Sequence, residues 1–416
     1  MKQLLTVFSL LLLCSYLQAQ SDDPELLRHI RTLEAQDLLL DRYPDVAQSQ
    51  LAIEAYLADK QSEQEERQIT LPLVFNVVYS NESERVSMAR IASQLAALNR
   101  DFSLSEEGRE LLAIDRQEGF GERGVDTKIQ FCLADLPDAV RYFQSSSSGW
   151  GYDDEIKRAE SGGLSAFQAD RFVNVWVGRL SDDVGGYAQL PGGSLASDGI
   201  VIDDRFFGTL GLAPPYDEGK TLTHLMGSYL GLYPLWGKTP CGDDFVEDTP
   251  MHSAVNYRCP DNQHVSLCAG YPVEMTVNFM DNTYDACRYL FTAGQKWRMQ
   301  AVLSEDGPRG GLLTSSSLCA SKLRAAPSQE SPSTQLQVFP NPAKDRLDIF
   351  IGSAKEGVLV LEIFNNSGQQ MHAYRGQSMG SAQQFQVDCS QWPEGIYLLR
   401  AQMADQTQSR KVTISR

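Results

Sequence analysis

The residues best suited to chemistry lie in one segment, residues 219–237, which reads GKTLTHLMGSYLGLYPLWG. His224 and Gly231 have the spacing of the first histidine and the glycine in the zinc-binding pattern H-E-x-x-H-x-x-G-x-x-H. In such a site two histidines one helical turn apart, and a third after the glycine, hold the metal, while the glutamate takes a proton from metal-bound water. The spacing therefore indicates zinc-dependent hydrolysis as the chemistry to weigh first.

The other three positions of the pattern do not carry its residues. Leu225 stands at the general-base position, and Ser228 and Pro234 stand at the second and third ligand positions. A leucine cannot accept a proton, a serine is a poor zinc ligand, and a proline has no metal-binding side chain. We therefore expect no catalytic residue here and no tight zinc binding. His224 is interpreted as a remnant ligand, half-buried on a helix and bonded to a neighbouring residue.

Two further histidines, His252 and His264, follow in the loops after this helix. Together with His224 they offer an alternative, a rebuilt metal site. Their spacing gives this alternative no support, because a loop histidine is more often simply solvated. An active secreted metalloendopeptidase with a rebuilt zinc site is nevertheless kept as the competing function from the enzyme class.

An acidic loop beside Cys241 contains Asp243, Asp244, Glu247 and Asp248. Oxygen ligands at this density suit calcium. A solvated acidic turn is the alternative, and the sequence does not separate the two. Calcium is therefore the one cofactor that the sequence leaves open.

A fold that mixes helices and strands must position these residues. Apolar runs predict strands at 69–80, 127–135, 171–180 and 198–207, and an amphipathic helix is predicted at 87–102. This pattern predicts the α/β (α+β) class for the main domain, residues 69–319. Short alternating runs such as RLDIFI and GIYLLRAQ predict a small all-β sandwich domain at 337–416.

The segments that flank these domains carry processing and linker signals. Residues 1–19 combine a basic Lys2 with an apolar stretch and Ala19, as is typical of a secretory signal peptide. Residues 20–68 are predicted to be a helical pro-segment that ends in the charged, cleavable linker QSEQEERQ; the apolar residues at helical spacing are Leu26, Leu27, Ile30 and Leu33. Residues 320–336 are a linker rich in proline and serine.

The overall charge excludes one class of partner. The 416 residues include 36 Lys or Arg and 54 Asp or Glu, a formal net charge of −18. Because affinity for nucleic acid comes from clustered basic residues, which this chain lacks, we expect no nucleic-acid partner. The apolar stretch at 4–17 is shorter than the roughly 20 residues that a membrane-spanning helix needs, so we also expect no transmembrane segment.

Residues 69–319 resemble the pappalysin-like, or pregnancy-associated plasma protein A-type, metallopeptidases. The matching stretches occur in order and at plausible spacing: VNVWVGRL, GGYAQLPGG, DGIVIDD, CGDDFVEDTP, NFMDNTYDAC and LFTAGQKWRMQAV. The resemblance implies a metzincin fold, with a twisted mixed sheet, an active-site helix above a cleft, and a Met-turn at Met280 beneath the metal. It also implies an oxyanion-stabilising tyrosine two residues after that methionine, where this sequence has Asn282.

The resemblance has implications for the cysteines as well. It implies two disulfides after the helix, Cys241 with Cys268 and Cys259 with Cys287. Cys132 and Cys319 offer a third bridge, which would leave Cys389 as the odd thiol. Bacterial relatives tend to carry a cysteine in the pro-segment that caps the zinc, whereas no cysteine lies between positions 20 and 131 here. A latency device of that kind has no purpose without a metal.

The end of the chain resembles the C-terminal sorting domain of bacterial type IX secretion cargo. The residues that carry this resemblance are VFPNPAKDRLDIFI at 338–351 and WPEGIYLLRAQ at 392–402. An ordinary β-sandwich binding module is the alternative. The resemblance implies the type IX secretion machinery as a partner, and export by the signal peptide followed by passage across the outer membrane to the surface or the medium.

These features together predict a secreted pappalysin-like homologue that is catalytically inactive, a pseudopeptidase. We expect it to bind a peptide, a protein or an active relative, since Leu225 makes the floor of the cleft more apolar and favours holding over cutting. A surface structural or adhesive protein is a third possibility. Nothing in the sequence names the ligand.

Deletion of residues 337–416 is expected to leave the protein in the periplasm, because the resemblance makes this domain an export address that the linker separates from the rest of the chain. Fractionation of the native host measures where the truncated chain accumulates. Unchanged delivery to the surface or the medium would mean that the domain is an ordinary binding module.

Overall fold

The computed structural model describes residues 28–42, 45–59, 67–104, 120, 123–182, 184–212, 214–260, 264–319, 335–339, 343–352, 356–365, 369–379, 383–403 and 406–415. The contacts between residues divide the chain into two compact units, Met1–Arg324 and Ala325–Arg416. The predicted signal peptide and most of the linker 320–336 lie outside the described residues.

Unit 1 is built from a mixed sheet and five α-helices within its described ranges. The strands are β1 (Ile69–Tyr79), β2 (Ile129–Leu133), β3 (Val140–Gln144), β4 (Val173–Gly178), β5 (Gly186–Ala188) and β6 (Ile200–Asp203). The helices are α1 (Thr32–Arg42), α2 (Asp45–Asp59), α3 (Met88–Phe102), α4 (Lys220–Tyr229) and α5 (Ala293–Val302). The predicted mixture of helices and strands, and the predicted fold class, are confirmed.

The sheet of unit 1 has the order β2-β1-β4-β6-β5, and β3 pairs with the second half of β1. The strands β2, β3 and β4 run parallel to β1, and β6 runs parallel to β4. Strand β5 is antiparallel to β6 and forms one edge. The nearly continuous apolar run of β1 follows from this topology, because a parallel strand in the middle of a sheet is buried on both faces.

Helix α3 packs beside the sheet as its apolar spacing predicts. Its buried positions include Ile91, Leu95, Leu98 and Phe102, which lie three or four residues apart. The side chain of Ser87 accepts a hydrogen bond from a backbone N–H of the first turn and caps the helix. Helix α4 differs, since all ten of its residues are buried. A helix in that position cannot present a solvated face, so each of its polar groups depends on protein partners.

Unit 2 is all β in its described residues. The strands β7 (Gln335–Phe339), β8 (Arg346–Gly352), β9 (Glu356–Asn365), β10 (Gln370–Met379), β11 (Gln383–Asp388), β12 (Gly395–Met403) and β13 (Gln406–Ile414) form two antiparallel sheets, ordered β10-β9-β12-β13 and β11-β8-β7. Alternate residues of both sheets, such as Ile349 on β8 and Leu361 on β9, share one apolar cluster. This arrangement is the predicted β-sandwich.

Three disulfides join cysteines among the described residues. They are Cys132–Cys319, Cys241–Cys268 and Cys259–Cys287, the pairing that the resemblance implies together with the suggested third bridge. Cys389 is buried in unit 2, with its Sγ 3.9 Å from the carbonyl oxygen of Lys344. In the described ranges no helix has both the length and the apolar character needed to cross a membrane.

Candidate active-site cleft

Helix α4 and the turn after it carry the residues of the broken zinc pattern. The turn closes through hydrogen bonds from the N–H of Gly231 to the Ser228 carbonyl (2.9 Å) and from the N–H of Leu232 to the Gly227 carbonyl (3.0 Å). Gly231 has a φ of +91°, and a Cβ added there would lie 2.8 Å from a methyl group of Val302. Both the backbone conformation and the close approach require glycine, so the turn itself has survived.

His224 points into the unit from α4 and is almost fully buried. Its Nδ1 lies 3.0 Å from the carbonyl oxygen of Phe279 and 3.2 Å from that of Asp281. Because both neighbours are acceptors, Nδ1 carries the hydrogen and Nε2 keeps its lone pair. Burial, with the charges of Arg288 and Arg28, lowers the pKa of His224 to about 3, so the imidazole is neutral at any physiological pH.

The residue at the general-base position, Leu225, is part of the apolar core. Leu225 is fully buried, and a Cβ added at Gly186 on the edge strand β5 would lie 2.7 Å from its Cδ1. The side chain therefore rests directly on the strand that lines the cleft. No proton acceptor occupies the place where a peptidase of this pattern keeps its glutamate.

The remaining ligand positions do not fit a zinc ion. The Oγ of Ser228 is buried and has no hydrogen-bond partner among the described residues. Pro234 lines the cleft but has no donor atom in its side chain. Together with His224 these positions offer one imidazole nitrogen and one hydroxyl, whereas a zinc site needs three or four protein ligands. Ser228 therefore places only an unpartnered hydroxyl one helical turn after His224, where the pattern has its second histidine.

The Met-turn lies directly beneath α4. A Cβ added at Gly227 would lie 2.5 Å from Sδ of Met280, so helix and turn are in close contact. The N–H of Met280 donates to Oδ1 of Asn278, whose amide also exchanges two hydrogen bonds with Gln295 at the start of α5. The support that the resemblance implies for a metal site is therefore present, although the ligands above it are not.

An extended N-terminal segment, residues 28–31, lies across the cleft. The sequence did not predict this segment. Ile30 forms a parallel bridge with Gly186, the N–H of Arg31 donates to the Gly186 carbonyl (2.9 Å), and the N–H of Gly185 donates to the His29 carbonyl (2.7 Å). These residues add a short strand to the edge of the sheet. The helical spacing predicted that Ile30 belongs to a helix, and this is wrong: α1 begins at Thr32, because pairing with β5 satisfies the preceding backbone groups.

Arg28 anchors this segment and is fully buried. Its guanidinium donates to Oδ1 of Asn282 from Nε (3.1 Å) and Nη2 (2.9 Å), and to Oγ1 of Thr221 from Nη1 (3.1 Å). Nη1 also lies 3.3 Å from Oδ1 of Asp285, which is itself fully buried. The sequence offered no signal for Asp285, since it is one of 54 acidic residues and belongs to no metal-binding pattern.

A cavity of about 370 Å³ remains between the segment and the floor of the cleft. His29 and Ile30 line it from the segment, and His224, Pro234 and Asn282 line it from the cleft. The predicted remnant ligand, the third ligand position and the former tyrosine position therefore share one space. The sequence predicted these residues as a group, and the structure brings them together.

His252 and His264 lie elsewhere, around Glu274. The backbone N–H of Met275 donates a hydrogen bond to Nε2 of His252 (2.9 Å), so this nitrogen carries the lone pair. The other ring nitrogen, Nδ1, lies 3.7 Å from a carboxylate oxygen of Glu274 and 3.6 Å from one of Asp281. A metal-ligating histidine keeps one nitrogen for the metal and donates a hydrogen bond from the other. Since backbone already occupies the lone pair of His252, this imidazole is not arranged as a ligand.

The acidic loop uses its carboxylates to hold its own backbone. Asp244 accepts hydrogen bonds from the N–H of Val246 (3.2 Å) and the hydroxyl of Thr249 (2.8 Å), and Asp248 accepts one from the N–H of Gly294 (2.8 Å) at the start of α5. Burial raises the pKa of Asp244 to about 7. Within the described ranges, no group of three or more His, Cys, Asp or Glu side chains is arranged to hold a metal ion, so calcium binding stays a prediction.

Comparison with known protein families gives matches to both units. The family described as pregnancy-associated plasma protein-A matches residues 159–304, and the family described as the secretion system C-terminal sorting domain matches residues 337–415. Among curated proteins, an extracellular metalloprotease of Arthroderma benhamiae is 23% identical over 286 residues, which cover 67% of this chain and 81% of that protein.

Two solved structures from Tannerella forsythia are also similar. Mature mirolysin in complex with a cleaved peptide is 32% identical, with a TM-score of 0.58, and the match covers 62% of this chain and 100% of mirolysin. A promirolysin mutant is 30% identical, with a TM-score of 0.63, and the match covers 70% of this chain and 99% of that protein. The match to the pro-form thus extends over more of this chain than the match to the mature form.

If the loop of Asp243, Asp244 and Asp248 binds calcium, the cation should raise the melting temperature of metal-stripped protein, because a ligand of the folded state stabilises it by mass action. Asp244→Ala should abolish the gain. Asp182→Ala, which removes a carboxylate that is 98% exposed on another loop, serves as the control and should keep it. Identical melting curves in calcium and in chelator would mean that this loop is an acidic turn that binds no calcium.

The combined substitution Leu225→Glu, Ser228→His and Pro234→His should recover stoichiometric zinc binding, since the surviving turn at Gly231 and the Met-turn beneath α4 still frame the site. Activity should remain low, because Asn282 lacks the tyrosine hydroxyl and one oxyanion donor can be worth about 3 kcal/mol. Calorimetric titration of a folded triple variant, with Leu225→Glu alone as the control, measures the binding. A triple variant that binds zinc no better than the parent would contradict this account of α4.

Proposed function

This chain belongs to the pregnancy-associated plasma protein-A family, and we propose that it is a member that holds peptide segments in its cleft without cleaving them. It is a secreted protein of the metallopeptidase type that carries a type IX sorting domain for export. The observation that carries the proposal is the cleft itself: an extended segment lies along β5, and none of the groups that would cut it are present.

The absence of cutting is supported by the residues nearest the bound segment. Hydrolysis of a peptide bond by this family's pattern needs an activated water and a base. Leu225 provides no base, and His224, Ser228 and Pro234 provide too few donors for the metal that would activate the water. A peptide bond placed beside α4 therefore meets apolar side chains and one neutral imidazole.

The holding of peptides is supported by how the chain binds its own N-terminal residues. Two backbone hydrogen bonds, from Arg31 to Gly186 and from Gly185 to His29, pair the segment with the start of β5 through main-chain atoms that every peptide has. The adjacent cavity of about 370 Å³ has room for a side chain of the bound strand or of a neighbour. The related mature mirolysin, by its description, was solved with a cleaved peptide. We infer that the cleft of this chain keeps the same capacity.

The proposal predicts less than about 0.1 equivalent of zinc after dialysis and no cleavage of casein or gelatin, because the base and two ligands are missing. Elemental analysis and a gel assay with added zinc measure both. A fluorescein-labelled synthetic peptide of residues 22–42 should bind saturably to an Arg28→Ala variant of the full chain, whose own segment is held less tightly, as read by fluorescence anisotropy. Binding to the parent should be weaker, because its own residues occupy the same edge of β5.

The double variant Arg28→Ala, Gly185→Val is the matched control for that binding. A Cβ at position 185 would lie 2.7 Å from Cγ of Arg28, so any larger side chain obstructs a peptide bound in this way, and the anisotropy signal should be lost. One equivalent of zinc together with chelator-sensitive cleavage would instead establish the active endopeptidase. Absence of peptide binding to the Arg28→Ala variant would also overturn the proposal.

A further inference from the structure

We propose that Asn282 and Asp285 form a guanidinium-binding site that keeps Arg28 and the following residues in the cleft as a lasting part of the folded protein. The inference rests on the proposed function, because a cleft that cuts nothing has no need to release its N-terminal segment. It assigns Asn282 a new role at the position where the family usually carries a tyrosine.

Asn282 and Arg28 match each other atom by atom. Two guanidinium nitrogens of Arg28 donate to Oδ1 of Asn282, and Nδ2 of Asn282 donates to the Arg28 carbonyl oxygen (2.9 Å). Within the described residues, Arg28 is the partner in every hydrogen bond of the Asn282 side chain, which is 2% exposed. Departure of the segment would break these three hydrogen bonds together and uncover an amide that lines the cavity.

The rest of the site completes the coordination of the guanidinium. Asp285 supplies a fully buried carboxylate, Thr221 a hydroxyl, and Thr283 a backbone carbonyl at 3.2 Å from Nη2. The guanidinium carbon also lies 4.7 Å from the centre of the Tyr216 ring. A planar cation with donors in a fixed fork suits such a site, whereas an ammonium group would reach only some of these acceptors.

Arg28 shares the carboxylate of Asp285 with a second guanidinium group. Asp285 also accepts a hydrogen bond from Nη2 of Arg288 (2.7 Å), and both residues are fully buried. Burial lowers the pKa of Arg28 to about 9, which still leaves it protonated at neutral pH. The segment therefore binds as a charged side chain whose acceptors are already in place, and not as a weakly held neutral strand.

A second attachment lies farther along the same segment. Leu57 of α2 is buried against Ala301 and Val302, and Glu54 forms an ion pair with Arg298 of α5. Nε of Arg298 donates to the carbonyl oxygen of Gly231 (2.7 Å), so α2 is connected to the turn after the cleft helix. Residues 28–57 thus contact the rest of unit 1 near both ends of α4. A segment that only blocks the cleft before it is removed would not need the second attachment.

Hydrogen exchange of the full-length protein, followed by mass spectrometry without any added peptide, tests the inference. The N–H of Arg31 reports attachment because it donates to Gly186 on β5. Arg28→Ala and Asn282→Ala should each speed exchange in a fragment covering 29–32 by at least tenfold. Thr221→Val, which removes one of the bonds, should have a smaller effect, about twofold to fivefold.

Arg31→Ala is the matched control, since Arg31 belongs to the same segment but its side chain is 27% exposed and pairs with Glu34 at the surface. It should leave exchange within about twofold of the parent. Exchange in β1 should stay unchanged in all variants. The inference is overturned if Arg28→Ala and Asn282→Ala behave like the control, or if β1 accelerates as much as the segment. Since no ligand, metal or substrate is added, either outcome is independent of the tests of peptide binding and hydrolysis.

Discussion

Asp285 is a buried carboxylate on which three parts of the cleft depend. Its Oδ2 accepts hydrogen bonds from the N–H groups of Glu218 and Lys220 at the start of α4, and its Oδ1 accepts from the guanidinium groups of Arg28 and Arg288. A carboxylate removed from water is tolerated when its lone pairs are filled and its charge is paired. Because these donors belong to different segments, the helix, the loop after the Met-turn and the N-terminal segment hold one another in place.

The same arrangement determines the electrostatics around His224. Burial lowers the pKa of His224 most, and the charges of Arg288 and Arg28 lower it further, so the imidazole stays neutral. The two guanidinium groups also lower the affinity of this place for a divalent cation, although they share the carboxylate of Asp285 and the three ligands of the triple variant would outweigh them. Binding of a peptide through main-chain atoms is unaffected by this field.

The contacts that shape the cleft are apolar or involve the backbone. Met280 touches α4 at Gly227, the turn at Gly231 closes through its own hydrogen bonds, and the Thr292–Gln295 capping box fixes the start of α5. None of these contacts uses a zinc ligand. The shape of the cleft therefore does not depend on the side chains at the ligand positions.

The sequence by itself determined the elements and the broken motif. Apolar runs predicted β1, β2, β4 and β6, and helical spacing predicted α3, since these patterns follow from which faces are buried. The short strands β3 and β5 were not predicted. The zinc pattern placed His224, Leu225, Ser228 and Pro234 on one helix and its turn. Tertiary structure alone decided what fills the cleft. Arg28 is an ordinary basic residue and Ile30 fits a helical spacing, yet pairing with β5 and burial against Asn282 give them other roles. Arg28 and Asn282 lie 254 positions apart in the chain, and Ile30 and Gly186 lie 186 − 30 = 156 apart. Local spacing carries no information about contacts at such distances.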